Sequence, residues 1–333
     1  MPKNTSNPDL PTIKEGWQGN PLDDKGRYQN HEYPFWPHTS DLLKWVREPK
    51  PQKEAKKQDT FRPESDSSGD FLEGTEDCIV WLGHATFYIR LSGVTFLTDP
   101  VFYSIPLVER VAPFPIDPAR LTDIDYVLVS HDHRDHCQKK SLRLLAAGNP
   151  GMKVLSGLNM TMMLDMYTEG LPVQEAGWYQ QYQLDHAGVE VYFLPSRHWS
   201  RRHLTDTNQR LWGAFVFKTP EKTIYFSGDT GYGSHLKEAG QLFPEGIDVC
   251  IIGIGAFRPE WFMSPNHISP RDAIRGCNEM GAKTFIPMHY GTFDLSNEPP
   301  SEPIEMVRRL HAEGILNADF KEPVLGRRLD EIF

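Results

Sequence analysis

The chain has 333 residues, of which 39% are hydrophobic and 8 are tryptophan, enough to build one large globular domain or two small ones. Its formal net charge of −10 argues against binding to a nucleic-acid backbone, which depends on clustered Lys and Arg, so no nucleic-acid partner is expected. Residues 1–20 contain no apolar h-region, and no run of about 18 apolar residues follows, so we expect neither secretion nor a membrane-spanning helix.

Residues 1–76 are predicted to form an N-terminal arm and linker with little core of their own, because both ends of this segment are polar and rich in turn-forming residues. Within it, the stretch YPFWPHTSDLLKWVREP predicts a short amphipathic helix, with Thr39, Ser40 and Asp41 as helix caps. We interpret its apolar side in two ways, as packing on the main body or as a membrane contact.

Residues 77–333 are predicted to form one α/β domain. Short β-rich stretches separated by turns dominate it: CIVWLGHATFYIRL, VTFLTDP, DYVLVS, MKVLSG, VEVYFLPS, GAFVFKT, KTIYFSG, VCIIGIG and KTFIPM. Helices are predicted at residues 138–148, 159–167, 233–242, 270–280 and 302–313. Because strands come first and outnumber helices, we expect two mixed sheets stacked face to face with helices outside, a four-layer αββα sandwich.

The four cysteines, Cys78, Cys137, Cys250 and Cys277, lie far apart in the sequence and include no CxxC pair. Cys78 and Cys250 fall in apolar, strand-like runs, which indicates buried thiols in a reducing compartment. We therefore predict a cytoplasmic location. Cys137 directly follows a charged cluster and is interpreted either as a packed small residue or as an oxidation-sensitive thiol.

That cluster, residues 131–136 in SHDHRDH, contains three histidines and two aspartates. Imidazole and carboxylate groups cost free energy when buried without partners, so the cluster requires something that binds all of them. Other strand-like runs are followed by His198, Asp229 and His289. Side chains at the carboxyl ends of strands can converge on one point, and the pattern therefore predicts a metal site.

The candidate ligands are five histidines and two aspartates: His131, His133, Asp135, His136, His198, Asp229 and His289. One tetrahedral zinc takes four ligands, so this set favours two ions bridged by a carboxylate and a solvent oxygen. In an extended segment, side chains two residues apart point to the same side. His131 and His133 can therefore bind one ion while Asp135 and His136 reach the other. Imidazole-rich ligation favours Zn²⁺, with Mn²⁺ and Fe²⁺ as alternatives.

These motifs resemble the metallo-β-lactamase superfamily and, within it, the N-acylphosphatidylethanolamine phospholipase D family with its microbial members. The similar stretches include WLGHATFYIRL, FLTDPVF, SHDHRDH, PSRHWSRR, FSGDTGY, IGAFRPEWFM and MHYGTFDL, and they extend from about Trp81 to Leu295. The resemblance implies the same αββα fold. It also implies a first zinc held by His131, His133 and His198, a second held by Asp135, His136 and His289, and Asp229 as the bridge.

The resemblance also implies roles for further residues. Asp99 in LTDP is similar to a carboxylate that orients a ligand imidazole. Asp135 and Asp229 are candidates to receive or hold a proton during attack, and His267 in SPNHISP is a candidate to contact the substrate phosphate. His84 in WLGHAT is interpreted as structural, and the role of His203 is left open.

The activity that the resemblance implies is zinc-dependent hydrolysis, in which two ions lower the pKa of a bridging water toward ~7. The expected reaction is that of a phospholipase D on N-acylphosphatidylethanolamine, which releases N-acylethanolamine and leaves phosphatidate. One alternative is a hydrolase of the same fold that acts on a soluble phosphodiester, a lactone or a thioester. Another is a non-catalytic metal-binding scaffold, which would predict the loss of one or more ligands.

A lipid substrate would require peripheral contact with a membrane. The apolar stretches WPHTSDLLKWV, VFYSIPLVERVAPFP and EWFM are candidates for that contact, and the alternative is that they form core or homodimer contacts. The net charge of −10 disfavours an anionic membrane unless Lys44, Arg47, Arg201 and Arg202 form a local basic patch.

Overall fold

The structure, a computed structural model, describes residues 4–329 and residue 332. Two β-sheets in this part of the chain lie face to face and share one apolar core, and helices cover their outer faces. The predicted four-layer αββα sandwich is therefore confirmed.

The first sheet has six strands in sequence order. They are β1 (Cys78–Gly83), β2 (Thr86–Leu91), β3 (Val94–Thr98), β4 (Tyr126–Val129), β5 (Lys153–Gly157) and β6 (Val173–Ala176). The pairs from β1 to β3 are antiparallel and those from β3 to β6 are parallel. The apolar runs of β4 and β5 are buried almost throughout, as expected of parallel strands that are covered on both faces.

The second sheet has seven strands in the order β13-β12-β11-β10-β9-β8-β7. They are β7 (Gln180–Gln181), β8 (Glu190–Leu194), β9 (Ala214–Lys218), β10 (Thr223–Phe226), β11 (Val249–Gly253), β12 (Thr284–Met288) and β13 (Asp319–Phe320). Pairing is antiparallel from β7 to β10 and parallel from β10 to β13. As a result, β8, β10 and β12 run in the same direction and end at the same edge of the sheet.

The helices are α1 (Thr39–Arg47), α2 (Lys53–Gln58), α3 (Lys139–Gly148), α4 (Thr161–Thr168), α5 (Ser234–Leu242), α6 (Glu260–Met263), α7 (Pro270–Met280) and α8 (Glu302–Ala312). Short 3₁₀ turns lie at Asp70–Leu72 and Pro118–Arg120. The five helices predicted in the α/β domain are found as α3, α4, α5, α7 and α8. None of the helices among the described residues is both long and apolar enough to cross a bilayer.

Helix α7 shows how local sequence sets its ends. Pro270 occupies the first turn, and the Ser269 side chain accepts a hydrogen bond from the backbone N–H of Asp272. Gly281 ends the helix with a left-handed φ of 73°, a conformation that glycine adopts without a steric penalty. These signals explain why the boundaries of this helix could be predicted.

Aromatic side chains fill the space between the sheets. The ring centroids of Phe96 and Phe217 lie 5.1 Å apart, and those of Phe87 and Phe226 lie 6.2 Å apart. Each pair joins one strand of the first sheet to one of the second. Burying a phenylalanine completely stabilises the fold by about 1.5–3 kcal/mol, so these contacts help to hold the two sheets together.

The N-terminal segment packs on the sandwich at several points. Tyr28 and Leu10 are buried in the main core, and the side chain of Gln180 donates to the backbone oxygen of Asn7 at 2.7 Å. The predicted boundary between residues 76 and 77 stays a prediction.

The amphipathic helix predicted in this segment is present as α1, but its predicted caps are wrong. His38 holds the position before the first turn, and no side-chain hydrogen bond caps the helix there. A cap at Thr39, Ser40 or Asp41 would require the helix to begin at residue 40 or later, but it begins at Thr39.

Cys78 and Cys250 are buried, as predicted, and so are Cys137 and Cys277. The fold brings Cys250 on β11 within 3.1 Å of Cys277 on α7, measured between the sulfur atoms. Burial raises the pKa of Cys137 to about 12, which favours its interpretation as a packed, unreactive thiol.

Candidate metal centre

The predicted ligands meet at one edge of the sandwich, just beyond the ends of strands from both sheets. His131 follows β4, and His198, Asp229 and His289 follow β8, β10 and β12. Since β8, β10 and β12 run in the same direction, their carboxyl ends deliver these side chains to the same place. The structure thus brings together all seven residues that the sequence singled out, and their role as ligands stays a prediction.

One group of ligand atoms comprises His131, His133 and His198. The Nδ1 atom of His133 lies 3.0 Å from Nε2 of His131 and 3.1 Å from Nε2 of His198. Burial lowers the pKa of His131 and of His198 well below the ordinary value. Both imidazoles are therefore neutral, which is the form that binds a metal ion.

A second group comprises Asp135, His136 and His289, joined by His84. The Oδ2 atom of Asp135 lies 3.6 Å from Nε2 of His136 and 3.7 Å from Nε2 of His289. These two groups correspond to the two ligand sets that the resemblance implies. Two further groups overlap them, Asp99 with His131 and His136, and Asp229 with His198 and His267.

Asp229 lies between the groups. Its Oδ2 atom is 3.9 Å from Nε2 of His131 and 3.8 Å from Nε2 of His198 on one side. On the other side, Oδ2 is 3.1 Å from Nε2 of His136, and Oδ1 is 3.1 Å from Nε2 of His289. A carboxylate in this position can bridge two ions.

The donor atoms themselves indicate that a cation belongs here. Within the described part of the chain, His136 Nε2, His289 Nε2 and Asp229 Oδ2 are buried and make no hydrogen bond, even though His136 Nε2 and Asp229 Oδ2 lie 3.1 Å apart. This state is costly unless an ion satisfies the three atoms. Burial alone would lower the pKa of His289. The carboxylates of Asp229 and Asp135 outweigh this effect and raise the pKa of His289 to about 9. The cluster thus attracts positive charge and offers the donors that a divalent metal prefers.

Hydrogen bonds from Asp99 and Ser130 orient two of the imidazoles. The buried Asp99 carboxylate accepts from His136 Nδ1 at 2.8 Å and from the Ser130 hydroxyl at 2.6 Å. Because the hydroxyl donates to Asp99, its oxygen accepts from His131 Nδ1, 2.9 Å away. Both rings therefore carry their proton on Nδ1 and present the Nε2 lone pair to the centre. Ser130 was missed by the sequence analysis.

His198 is held in the same way by other partners. Its Nδ1 donates to the backbone oxygen of Asn266 at 3.0 Å, which leaves Nε2 available. The side chain of Asn30 donates to the backbone oxygen of His198 at 3.0 Å and accepts from its N–H at 3.2 Å. Asn30 belongs to the predicted arm, so no local sequence signal linked it to the site.

An ion-pair cluster ties the loop that carries residues 131–136 to the loop that follows His198. The fully buried Asp132 accepts from the N–H of Arg201 and from Nη1 of Arg210, both at 2.9 Å. Arg202 donates to the backbone oxygens of Asp132 and Cys137 at 3.0 and 2.9 Å. These contacts fix the relative position of two ligand-bearing loops.

A cleft of about 810 Å³ opens over the centre. Its floor includes His133, Asp135, Asp229 and His267. Its walls combine apolar side chains, Phe35, Trp45, Trp199, Trp261, Phe262 and Leu295, with the basic residues Lys44, Arg134, Arg201 and His203. Although the chain is acidic overall, the mouth of the cleft is locally basic, and His203 is one of the exposed residues there.

Helix α1 forms part of the wall. Trp45 stacks on Phe262 of α6 at 5.1 Å and donates to the side chain of Asn297 at 3.1 Å. On the outer side of the helix, Leu42, Leu43 and Val46 remain 42%, 47% and 63% exposed. The helix thus packs on the main body through one face and leaves its aliphatic residues accessible.

His267 lies on the cleft side of the centre, and its Nδ1 is 3.7 Å from Oδ2 of Asp229. Burial lowers the pKa of His267 to about 4, so the ring is neutral near pH 7. In this position the ring can hydrogen-bond to a ligand in the cleft.

Residues 95–290 match the family model described as "Beta-lactamase superfamily domain". A Caenorhabditis elegans protein named N-acyl-phosphatidylethanolamine-hydrolyzing phospholipase D 1 is 32% identical over 244 residues, which cover 69% of this chain and 68% of that protein. A Saccharomyces cerevisiae protein, named N-acyl-phosphatidylethanolamine-hydrolyzing phospholipase D, mitochondrial, is 30% identical over 257 residues. That alignment covers 74% of this chain and 54% of the yeast protein, or about half its length.

The fold is also similar to that of Igni18, a metallo hydrolase of the archaeon Ignicoccus hospitalis, with a TM-score of 0.57 at 19% identity. The similarity covers 76% of this chain and 97% of the archaeal one, and it supports the fold alone. The family match and the residues of the centre agree with each other. The chain belongs to the metallo-β-lactamase superfamily and is a metal-dependent hydrolase of that superfamily.

Proposed function

We propose that the chain is a dinuclear zinc phosphodiesterase of the phospholipase D type, which releases N-acylethanolamine from N-acylphosphatidylethanolamine. The observation that carries the proposal is the cleft, which combines a floor of histidine and aspartate with walls that are partly apolar and partly basic. A phospholipid offers matching groups, since its phosphodiester suits the floor and the basic side chains and its acyl chains suit the apolar wall. The names of the two relatives that are 32% and 30% identical support the same substrate.

The first zinc would be held by His131, His133 and His198, the second by Asp135, His136 and His289, and both by Asp229. When bound, the two ions supply Lewis-acid chemistry, which makes water a nucleophile at neutral pH and offsets negative charge on the phosphoryl group. Mn²⁺ and Fe²⁺ accept the same donors. Asp99, Ser130 and the backbone of Asn266 hold three of the imidazoles with Nε2 directed inward.

The remaining steps fall to side chains on the floor of the cleft. Asp135 and Asp229 are the carboxylates placed to receive the proton that water loses as it attacks phosphorus. His267 is placed to hydrogen-bond to a non-bridging oxygen or to the leaving oxygen of the phosphodiester. The bond to the N-acylethanolamine oxygen then breaks, and phosphatidate remains.

Product analysis tests the proposal. Zinc-loaded protein is incubated with N-acylphosphatidylethanolamine in mixed micelles in ¹⁸O-labelled water, and the products are identified by mass spectrometry. We expect N-acylethanolamine and phosphatidate with ¹⁸O in the phosphate group, because water attacks phosphorus. The control variant Asp135→Asn keeps the side-chain shape but loses the ligand charge, and its rate should be about 10³-fold lower.

Other products would contradict the proposal in distinct ways. Diacylglycerol together with phosphorylated N-acylethanolamine would indicate cleavage on the other side of phosphorus. Intact lipid, combined with turnover of a soluble phosphodiester, a lactone or a thioester, would favour a different hydrolase of the same fold. A metal-loaded protein that cleaves none of these substrates would favour a scaffold.

We also propose that the protein is cytoplasmic and meets its lipid by peripheral contact through the mouth of the cleft. Leu43 and Val46 are 47% and 63% exposed on the outer side of α1, the helix that forms part of the cleft wall, and Leu204, which lines the cleft, is 93% exposed. Lys44 and Arg201 line the cleft among them. Aliphatic side chains next to basic ones are the combination that an interfacial surface uses.

The double variant Leu43→Ser/Val46→Ser is expected to bind phosphatidylethanolamine-containing vesicles about 10-fold more weakly, because about 1.4 kcal/mol of apolar transfer free energy is lost. Its hydrolysis of a short-chain soluble analogue should be unchanged, since neither residue lies on the floor of the cleft. Cosedimentation with vesicles measures the first effect. Ile315→Ser, at a residue that is 40% exposed near α8, is the control. Equal vesicle binding by the double variant and the control would rule out this surface.

A further inference from the structure

His84 lies in the turn between β1 and β2, and its motif WLGHAT predicts a structural role. The residue is buried, and its backbone adopts a left-handed φ of 57°, which is uncommon for a residue other than glycine. Its ring groups with Asp135, His136 and His289, the predicted ligands of the second ion. The group of His131, His133 and His198 does not include His84. His84 therefore belongs to one half of the centre.

The side chain of His84 contacts a ligand. Its Nε2 lies 3.1 Å from Oδ2 of Asp135 in hydrogen-bonding geometry, and an ionised carboxylate can only accept, so Nε2 carries the hydrogen. The Nε2 atoms of His136 and His289 differ in this respect, because both are buried without a hydrogen-bond partner among the described residues. His136 and His289 thus offer lone pairs to an ion, whereas His84 offers a proton to a ligand.

The backbone of His84 holds another ligand of the same half. Its carbonyl oxygen accepts from the N–H of His289 at 3.1 Å and from the indole of Trp81 at 2.9 Å. Its own N–H donates to the hydroxyl of Thr292 at 2.8 Å. The rings of His84 and His289 lie 3.9 Å apart, and Phe293 packs edge-on against His84 at 5.0 Å. One residue thus connects the turn after β1 to both Asp135 and His289.

We infer that His84 is a positioning residue for the second metal ion, with its Nε2–H fixing the Asp135 carboxylate and its carbonyl fixing the main chain of His289. The inference rests on the proposed two-metal centre. A hydrogen bond to a ligand carboxylate restricts its rotation before the ion binds, so less entropy is lost on binding. Loss of such a partner typically lowers metal affinity by about 10–100-fold.

Stepwise titration of the metal-free protein with zinc, in competition with a chelator, separates the two dissociation constants. The variant His84→Phe keeps a ring against His289 and Phe293 but cannot donate to Asp135. We expect its affinity for the second ion to fall about 10–100-fold, with the affinity for the first ion unchanged within about 3-fold. The variant His84→Gln places an amide N–H near the Nε2 position, and it should regain most of the second affinity.

The first-ion affinity serves as an internal check on folding, because a damaged fold weakens both sites alike. Equal losses at both sites, or an unchanged second affinity in His84→Phe, would overturn the positioning role. If His84→Gln fails to restore the second affinity, the loss in His84→Phe does not come from the missing donor, and the role of the Nε2–H in holding Asp135 is overturned. A wild-type protein that binds a single ion would overturn the two-metal centre itself, an outcome visible before any variant is made.

Discussion

Replacing Asp229 by asparagine is expected to lower the rate of hydrolysis about 10³-fold and to leave fewer than two zinc ions per chain. The reason is the position of its carboxylate between the two ligand groups, with Oδ2 3.1 Å from His136 and Oδ1 3.1 Å from His289. An amide keeps the shape of the side chain but offers one oxygen and no charge, so it cannot bridge two cations. The loss of about 4 kcal/mol of charge stabilisation corresponds to about a 10³-fold change in rate.

Two measurements check this result together, namely metal content by mass spectrometry and the rate of product release under zinc saturation. Asp248→Asn is the matched control, because Asp248 precedes β11 at the opposite end of the sheet and binds Lys283 and the N–H of Thr223. The control should retain both ions and full activity. If Asp229→Asn retains two ions and loses less than about 10-fold in rate, Asp229 does not bridge them.

The sandwich and the metal cluster were predictable from the sequence for the same physical reason. Apolar runs of five or six residues that are bounded by turn formers and rich in β-branched and aromatic residues are typical of buried strands. Titratable residues directly after such runs are conspicuous because burial penalises them. Asp229 is an example, since it follows the apolar strand β10 and is preceded by Gly228. At Gly228, φ is 54° and a Cβ atom would lie 2.8 Å from that of Ser130, so the turn requires glycine.

Strands β6, β7 and β13 were not predictable, and neither were Ser130 and Asn30, two supporting residues of the site. These strands are short or polar, and they exist because neighbouring strands offer them a sheet edge. Asn30 and His198 illustrate the problem for the site, because they are 168 positions apart in the sequence and meet only in the folded chain. Ligands can be predicted from residue type and spacing, whereas Asp99 was identified only through its family motif and Asn30 had no local pattern at all.

The net charge of the chain likewise does not predict the local charge at the site. The net charge of −10 argues against a nucleic-acid partner, but it does not describe the mouth of the cleft, where Lys44, Arg134 and Arg201 lie close together. These residues come from three distant segments. The fold therefore creates a local field of the sign that an anionic phosphodiester requires.

Removing the Asp132 carboxylate is expected to lower the free energy of unfolding substantially. Its carboxylate is fully buried and accepts from the N–H of Arg201 and from the guanidinium of Arg210, both at 2.9 Å. The variant Asp132→Ala leaves both donors without this acceptor, and breaking a buried pair from one side typically costs about 3–5 kcal/mol. Arg210 retains Asp206 at 2.7 Å, so we expect the free energy of unfolding to fall by about 3 kcal/mol, at the lower end of that range.

Calorimetry on the metal-free protein measures this effect without the added stabilisation that bound ions give to the folded state. A loss of about 3 kcal/mol should lower the Tm by about 4 °C in a chain of this size. The control is Glu322→Ala, which removes the partner of Arg308 at 2.6 Å from an accessible ion pair, and it should cost less than about 1 kcal/mol. Equal losses in the two variants would mean that Arg202, which donates to the backbone oxygens of Asp132 and Cys137, holds the two loops together without the carboxylate.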